Sequence, residues 1–142
     1  MDRVSPSGPV YQAGTLSGNP LAVAAGMATL DLLEGTAPYE RLEESSAHLE
    51  RGLRAALGDR PGCVQRVGSM ITLFLGPTRV RNYAEACTSD TARFGRVFQQ
   101  LIERGIWIPP SQFEAWFVSL AHTRADLDAT IAAMADALVA TD

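Results

Sequence analysis

Lysine is absent from this sequence: all twelve basic residues are arginine, against sixteen acidic residues and two histidines. Biased base composition in the genome explains such a preference, but it has a chemical consequence. No side-chain amine is available to form a Schiff base with a carbonyl cofactor or substrate. Cysteine is scarce as well. Cys63 and Cys87 stand alone, with no CxxC and no histidine at ligand spacing. They read as free thiols of a reducing compartment and exclude a zinc module. No stretch reaches the roughly 18 consecutive apolar residues of a membrane span, and "MDRVSPSGPVYQAG" lacks a signal peptide's basic-then-apolar order. A basic stripe is missing too, and the formal charge of −4 opposes electrostatic binding of nucleic acid. These absences predict a cytoplasmic protein with no metal, nucleic-acid or membrane partner.

What is present suits one ordinary globular domain. The 142 residues are 46% hydrophobic and 20% charged, enough to bury a real core. Residues 1–18 are broken by Pro6, Gly8, Pro9, Gly14 and Gly18 and read as an irregular lead-in. A helix is predicted over Pro20–Glu34, with Asn19 as N-cap, Pro20 at the first helical position and Gly35 as a left-handed terminator. It has hardly any polar face, which is the pattern of a helix covered on all sides. The next helix, Pro38–Leu57, carries an apolar stripe of Tyr39, Leu42, Leu49, Leu53, Ala56 and Leu57, with a carboxylate-rich face read as solvated.

From about residue 59 the predicted order is β-β-α-β-β-α. Strands "CVQRVG" and "MITLFLG" flank a Gly68-Ser69 turn, and a short helix covers Asn82–Ala86. Asp90 caps a helix through Glu103 that Gly105 ends. "IWIPP" and "FEAWFVSL" are expected as strands, and Thr123-x-x-Asp126 opens a last helix ending near Val139. The class is α+β, a small sheet with helices on one face.

Several residues invite chemistry, each with a plainer reading beside it. "GTLSGNP" (residues 14–20) is a capping turn or, through hydroxyls and N–H groups at a helix start, a phosphate contact. It is no Walker loop, because the GxxxxGK[ST] lysine is missing, and no GxGxxG follows a strand. Glu114 is a solvent-facing strand residue or a carboxylate that receives a cationic group. His122, directly before a helix cap, is structural or an acid-base group, and His48 reads as a surface residue. No Ser-His-Asp set assembles among Ser17, Ser69, Ser111 and Ser119.

"GPVYQAGTLSGNPLAVAAG", taken with "PPSQFEAWFVSLAHTRADLDATI" and the block between them, resembles the class III, fold-type-I pyridoxal-phosphate aminotransferase family, in particular its aminomutase branch. The likeness covers essentially the whole chain but only the C-terminal third of a family enzyme, so Met1 is expected to fall inside a longer parent sequence. The implied reaction isomerises glutamate-1-semialdehyde to 5-aminolevulinate, in tetrapyrrole synthesis, by a homodimer with shared active sites. The implied cofactor is pyridoxal 5'-phosphate, alternating with pyridoxamine 5'-phosphate. By the same resemblance Thr15 contacts the cofactor phosphate of a neighbouring subunit, with Gly14 in the adjoining backbone. Glu114 lies near substrate and cofactor. No catalytic residue is assigned, because the Schiff-base lysine belongs to an upstream segment, and the chain alone is expected to be inactive.

The implied division is residues 1–18 as a remnant of the large cofactor domain, 19–58 as connecting helices and 59–142 as the small C-terminal domain. Trp116 departs from the pattern, standing where the family typically carries a small residue. It leaves another class III aminotransferase open as the alternative. A free-standing, non-catalytic α+β interaction module is the reading from a different class.

Overall fold

The computed structural model describes residues 1–35 and 37–142 as two compact units, Met1–Ala37 and Pro38–Asp142. The first unit holds a lead-in with a single parallel bridge between Val4 and Val10, a turn over residues 15–18, and helix α1 (Pro20–Gly35). The Asn19 side chain caps α1 by accepting from the N–H groups of Leu21 and Ala22, both at 3.1 Å. None of the helix's residues is buried within this chain. The expected left-handed stop falls elsewhere. Gly35 is still helical, and Ala37 takes the positive φ of 44° immediately before Pro38.

The second unit contains α2 (Pro38–Leu57), β1 (Gly62–Val67), β2 (Met70–Leu75), α3 (Tyr83–Ala86), α4 (Thr91–Glu103), β3 (Trp116–Phe117) and α5 (Arg124–Ala140). Its sheet has the order β1-β2-β3 and is antiparallel throughout. Val67 opposes Met70 across the Gly68-Ser69 turn, with Gly68 at φ 57°, a conformation that favours glycine. Alternation along β2 sends Ile71, Leu73 and Leu75 inward. There they meet Leu49, Leu53 and Leu57 of α2, Phe94, Val97 and Leu101 of α4, and Leu127, Met134 and Leu138 of α5 in one core. Burying each such side chain stabilises the unit by about 1.5–3 kcal/mol. Tyr39, placed on the α2 stripe by its spacing, is 69% exposed.

Helix α2 packs against both β1 and α5 and so belongs to this core, although the sequence groups it with α1 as a connector. Its approach to α5 depends on Gly52, where a Cβ would lie 2.2 Å from Ile131 Cδ1. Charge reinforces the packing. Arg66 of β1 donates to Glu43 and Glu50 of α2 at 2.7–2.8 Å, while Arg54 reaches Glu50 and the Val64 carbonyl. The supposedly solvated acidic face is thus partly engaged by arginine. The Arg66 and Arg54 guanidinium groups hold the Glu50 carboxyl below its usual range, and Arg66 does the same for Glu43. His48, taken for a surface residue, joins α2 to α5 through Asp128 at 2.6 Å.

The α+β class is as expected, but the β-β-α-β-β-α order is not. Residues 106–110 form no strand, and the third strand shrinks to two residues. The Ile106 N–H is spent closing α4 on the Leu101 carbonyl, and Pro109 and Pro110 carry no N–H to donate to a ladder. The last helix begins with a full capping box, in which Thr123 and Asp126 satisfy each other's backbone N–H groups. Among the described residues, no helix is long and apolar enough to cross a membrane, and no cluster of His, Cys, Asp and Glu could hold a metal ion. Both cysteines are free thiols, and burial pushes the Cys63 pKa up.

Candidate functional site

The two groups of candidate residues fall in different units. Gly14 and Thr15 are adjacent in the loop before α1, whereas Glu114 belongs to the second unit. The loop is tight because the Ser17 N–H donates to the Gly14 carbonyl at 3.0 Å and the Asn19 N–H donates to the Leu16 carbonyl at 3.0 Å. Gly18 takes φ 74° to let the chain turn into the helix. A Cβ at Gly14 would meet Ser17 Oγ at 2.6 Å, the end of an exposed side chain that can rotate away. Thr15 is exposed at the start of this turn. Its hydroxyl stands in the turn that leads into α1.

Glu114 does not lie in a strand as its neighbours predict. It occupies a bend just before β3 and is exposed, with its N–H donating to the Ser111 carbonyl at 3.2 Å. The residue that sets this bend was missed by sequence reasoning. Gln112 is 2% exposed and pairs by its side-chain amide with β2. Its Oε1 accepts from the Leu75 N–H at 3.3 Å, and its Nε2 donates to the Leu73 carbonyl at 2.8 Å. The amide therefore continues the edge pairing where β3, which opposes only Met70 and Ile71, has ended.

Glu114 lines a cavity of about 400 Å3 in the second unit, together with Ile108, Pro109, Trp116, His122 and Leu127. Trp116 packs in the sheet core opposite Ile71 and reaches the same cavity. His122 is held in place by its turn. Nδ1 accepts from the Ser119 N–H at 2.9 Å, which leaves the proton of a neutral ring on Nε2. Trp107, at the cavity mouth, is 80% exposed and meets Phe98 edge-on.

No family model matches the sequence. Among curated proteins, it is 60% identical over 99% of its length to a glutamate-1-semialdehyde 2,1-aminomutase of Sorangium cellulosum. It is 52% identical over 97% of its length to the enzyme of that name from Thermus thermophilus. The chain spans about a third of the length of these relatives, 32% and 33% respectively. Among solved structures, a glutamate-1-semialdehyde aminomutase of Pseudomonas aeruginosa superposes with a TM-score of 0.80 at 26% identity, over 92% of this chain and 29% of that one. An omega-transaminase of Sphaerobacter thermophilus gives 0.77 at 27% identity, over 96% and 32%. Sequence identity along nearly the whole chain and a shared fold agree: the chain belongs to the glutamate-1-semialdehyde 2,1-aminomutase family of pyridoxal-phosphate-dependent aminotransferases and corresponds to its C-terminal region.

Proposed function

We propose that this chain supplies the C-terminal part of an enzyme that isomerises glutamate-1-semialdehyde to 5-aminolevulinate, working in the cytoplasm as a homodimer. The observation that carries this reading is 60% identity to an aminomutase over 99% of the chain, with the phosphate-type loop inside the matching length. A Pseudomonas aeruginosa aminomutase of the same fold is described in complex with PMP. The loop suits the phosphate end of such a cofactor. It offers an exposed threonine hydroxyl in the turn that leads into a helix. It does not suit covalent attachment, because the chain has no lysine amine.

When bound, the cofactor supplies an electron sink for bond changes at the amino-bearing carbon. This chain's residues have simpler duties. The Thr15 hydroxyl would donate a hydrogen bond to a phosphate oxygen, and the Gly14 carbonyl closes the turn by accepting from the Ser17 N–H. The Glu114 carboxylate receives a cationic group of substrate or cofactor from the bend that Gln112 holds. In this scheme residues 1–18 belong with the large domain, and 19–58 lead to the small domain at 59–142, with α2 packed into that domain's core. The chain by itself is inactive for want of the lysine. The alternative, a transaminase of the same class, draws support from the equally good fit of the omega-transaminase fold and from the indole of Trp116 beside the Glu114 cavity.

Mixing the purified chain with a separately expressed N-terminal portion that contains the lysine tests the proposal. The expected outcome is aminolevulinate formation from the semialdehyde. Thr15→Ala should weaken cofactor retention about tenfold or more, as loss of a hydrogen bond to a charged group does. Turnover of ordinary amino donors without isomerisation would select the transaminase. Folding of the mixture without any activity would sink both enzyme readings.

A further inference from the structure

Gln112 is buried, whereas Gln12, Gln65 and Gln99 are exposed. A buried primary amide is stable where both its donor and its acceptor are met. Here both go to one strand, Nε2 to the Leu73 carbonyl at 2.8 Å and Oε1 to the Leu75 N–H at 3.3 Å. Leu75 is itself committed at its other group. Its carbonyl accepts from the N–H of Asp90, the N-cap of α4, at 2.8 Å. One side chain thus ties residues 111–114 to the end of β2 and, through Leu75, to the start of α4.

The segment it ties has few other anchors. The Phe113 N–H turns back to Ser111 Oγ and the Glu114 N–H to the Ser111 carbonyl, both at 3.2 Å, so these bonds stay inside the turn. Ladder pairing begins only at Trp116. Among the described residues, the Glu114 carboxylate has no hydrogen-bond or ion-pair partner. A carboxylate without partners of its own is aimed by the backbone beneath it. A binding group must be held to within about 0.5 Å by residues that are themselves locked. Gln112, two positions away, is the locked residue.

We propose that Gln112 is a positioning residue: its amide, fixed to Leu73 and Leu75, holds the Glu114 carboxylate where it receives the cationic group. This rests on the Glu114 role proposed above and adds that the role is exercised through Gln112.

In the 15N-labelled 142-residue chain, the side-chain amide protons of Gln112 should exchange with solvent at least about tenfold more slowly than those of Gln99. Equal rates would mean that the amide is not bonded to β2, and the proposal falls. Gln112→Met keeps the length of the side chain and removes both bonds. It is compared with Glu114→Gln in the enzyme reassembled from this chain and the lysine-bearing N-terminal portion. Each variant should raise KM for glutamate-1-semialdehyde about tenfold and leave kcat within about twofold, the mark of lost binding and not of lost fold. The double variant should match the KM of Glu114→Gln within about twofold, because Gln112 has nothing left to aim. Effects that multiply, to about a hundredfold in the double variant, overturn the positioning role. So does a Gln112→Met enzyme that loses kcat at unchanged KM, since the amide then serves the fold alone. Gln112→Asn, whose amide is one carbon short of both partners, replaces the methionine variant where that one does not fold, with the same KM expected. An unchanged KM in Glu114→Gln overturns the role of Glu114 itself, and the positioning role with it.

Discussion

Helices α1 and α5 look alike as strings of residues and behave oppositely in the structure. Both are rich in alanine and leucine, and neither has a broad charged face. Yet α5 buries Leu127, Ala133, Met134, Ala137 and Leu138, whereas α1 buries nothing and leaves Leu21 80% and Met27 55% exposed. An apolar helix states a need for cover and says nothing about where the cover comes from. For α5 it comes from α2 and α4 in the same unit. For α1, under the proposed function, it comes from the large domain of the complete enzyme. The contrast separates a unit with a core of its own from a segment built to be completed.

Truncating side chains on the two helices' sides of this divide should break the contrast if it is wrong. Leu53→Ala, in the core that α5 completes, should destabilise the second unit by about 2–5 kcal/mol in urea denaturation. Leu30→Ala on the exposed α1 should move the same transition by no more than about 0.5 kcal/mol. Equal losses would mean that α1 shares the core. A smaller effect sharpens the account of what covers α5. Gly52→Ala should cost about 1–3 kcal/mol, because its new methyl group meets Ile131 with no room to pass. A neutral result would show that α2 and α5 are not in close contact at that point.

The least effect concerns charge. Glu43 and Glu50 have pKa values lowered by Arg66, so they bind protons less readily folded than unfolded. Their contribution is fully present above the ordinary glutamate value of about 4.3 and is lost as pH falls through the lower folded values. Glu50→Gln should therefore flatten the acid limb of a stability-against-pH curve and leave the curve's shape near neutrality unchanged. A variant that keeps the wild-type acid limb would show that the arginine cluster does not link folding to pH. Both carboxylates reach solvent, so the change is expected to be slight.

Local signals were legible wherever the deciding partners were near in sequence. Asn19, Asp90 and Thr123 are helix caps because short polar side chains reach N–H groups two or three residues on. Gly68 and Gly105 take positive φ where a turn and a helix end were expected. The misreadings have two sources, one near in sequence and one far along the chain. Residues 106–110 have the apolar, branched character of a strand, but the Ile106 N–H is committed to α4 and Pro109 and Pro110 have none to give. Gln112 is a buried brace that nothing near it in sequence announces, because its amide finds Leu73 and Leu75 nearly forty positions away. The loop of Gly14 and Thr15 could be suspected from composition, yet only its likeness to a family raised the phosphate reading above a plain cap.

Read alone, the residues prescribe the helices, the hairpin, the turn before α1 and the absence of a Schiff-base amine. Each of these is set by side-chain identity or by bonds between near neighbours. Tertiary contacts decide that α2 joins the core, that the sheet stops at three strands, and that Glu114, Trp116 and His122 line one cavity. Those outcomes depend on which distant group takes a given N–H or fills a given volume, and periodicity along a chain carries no record of that.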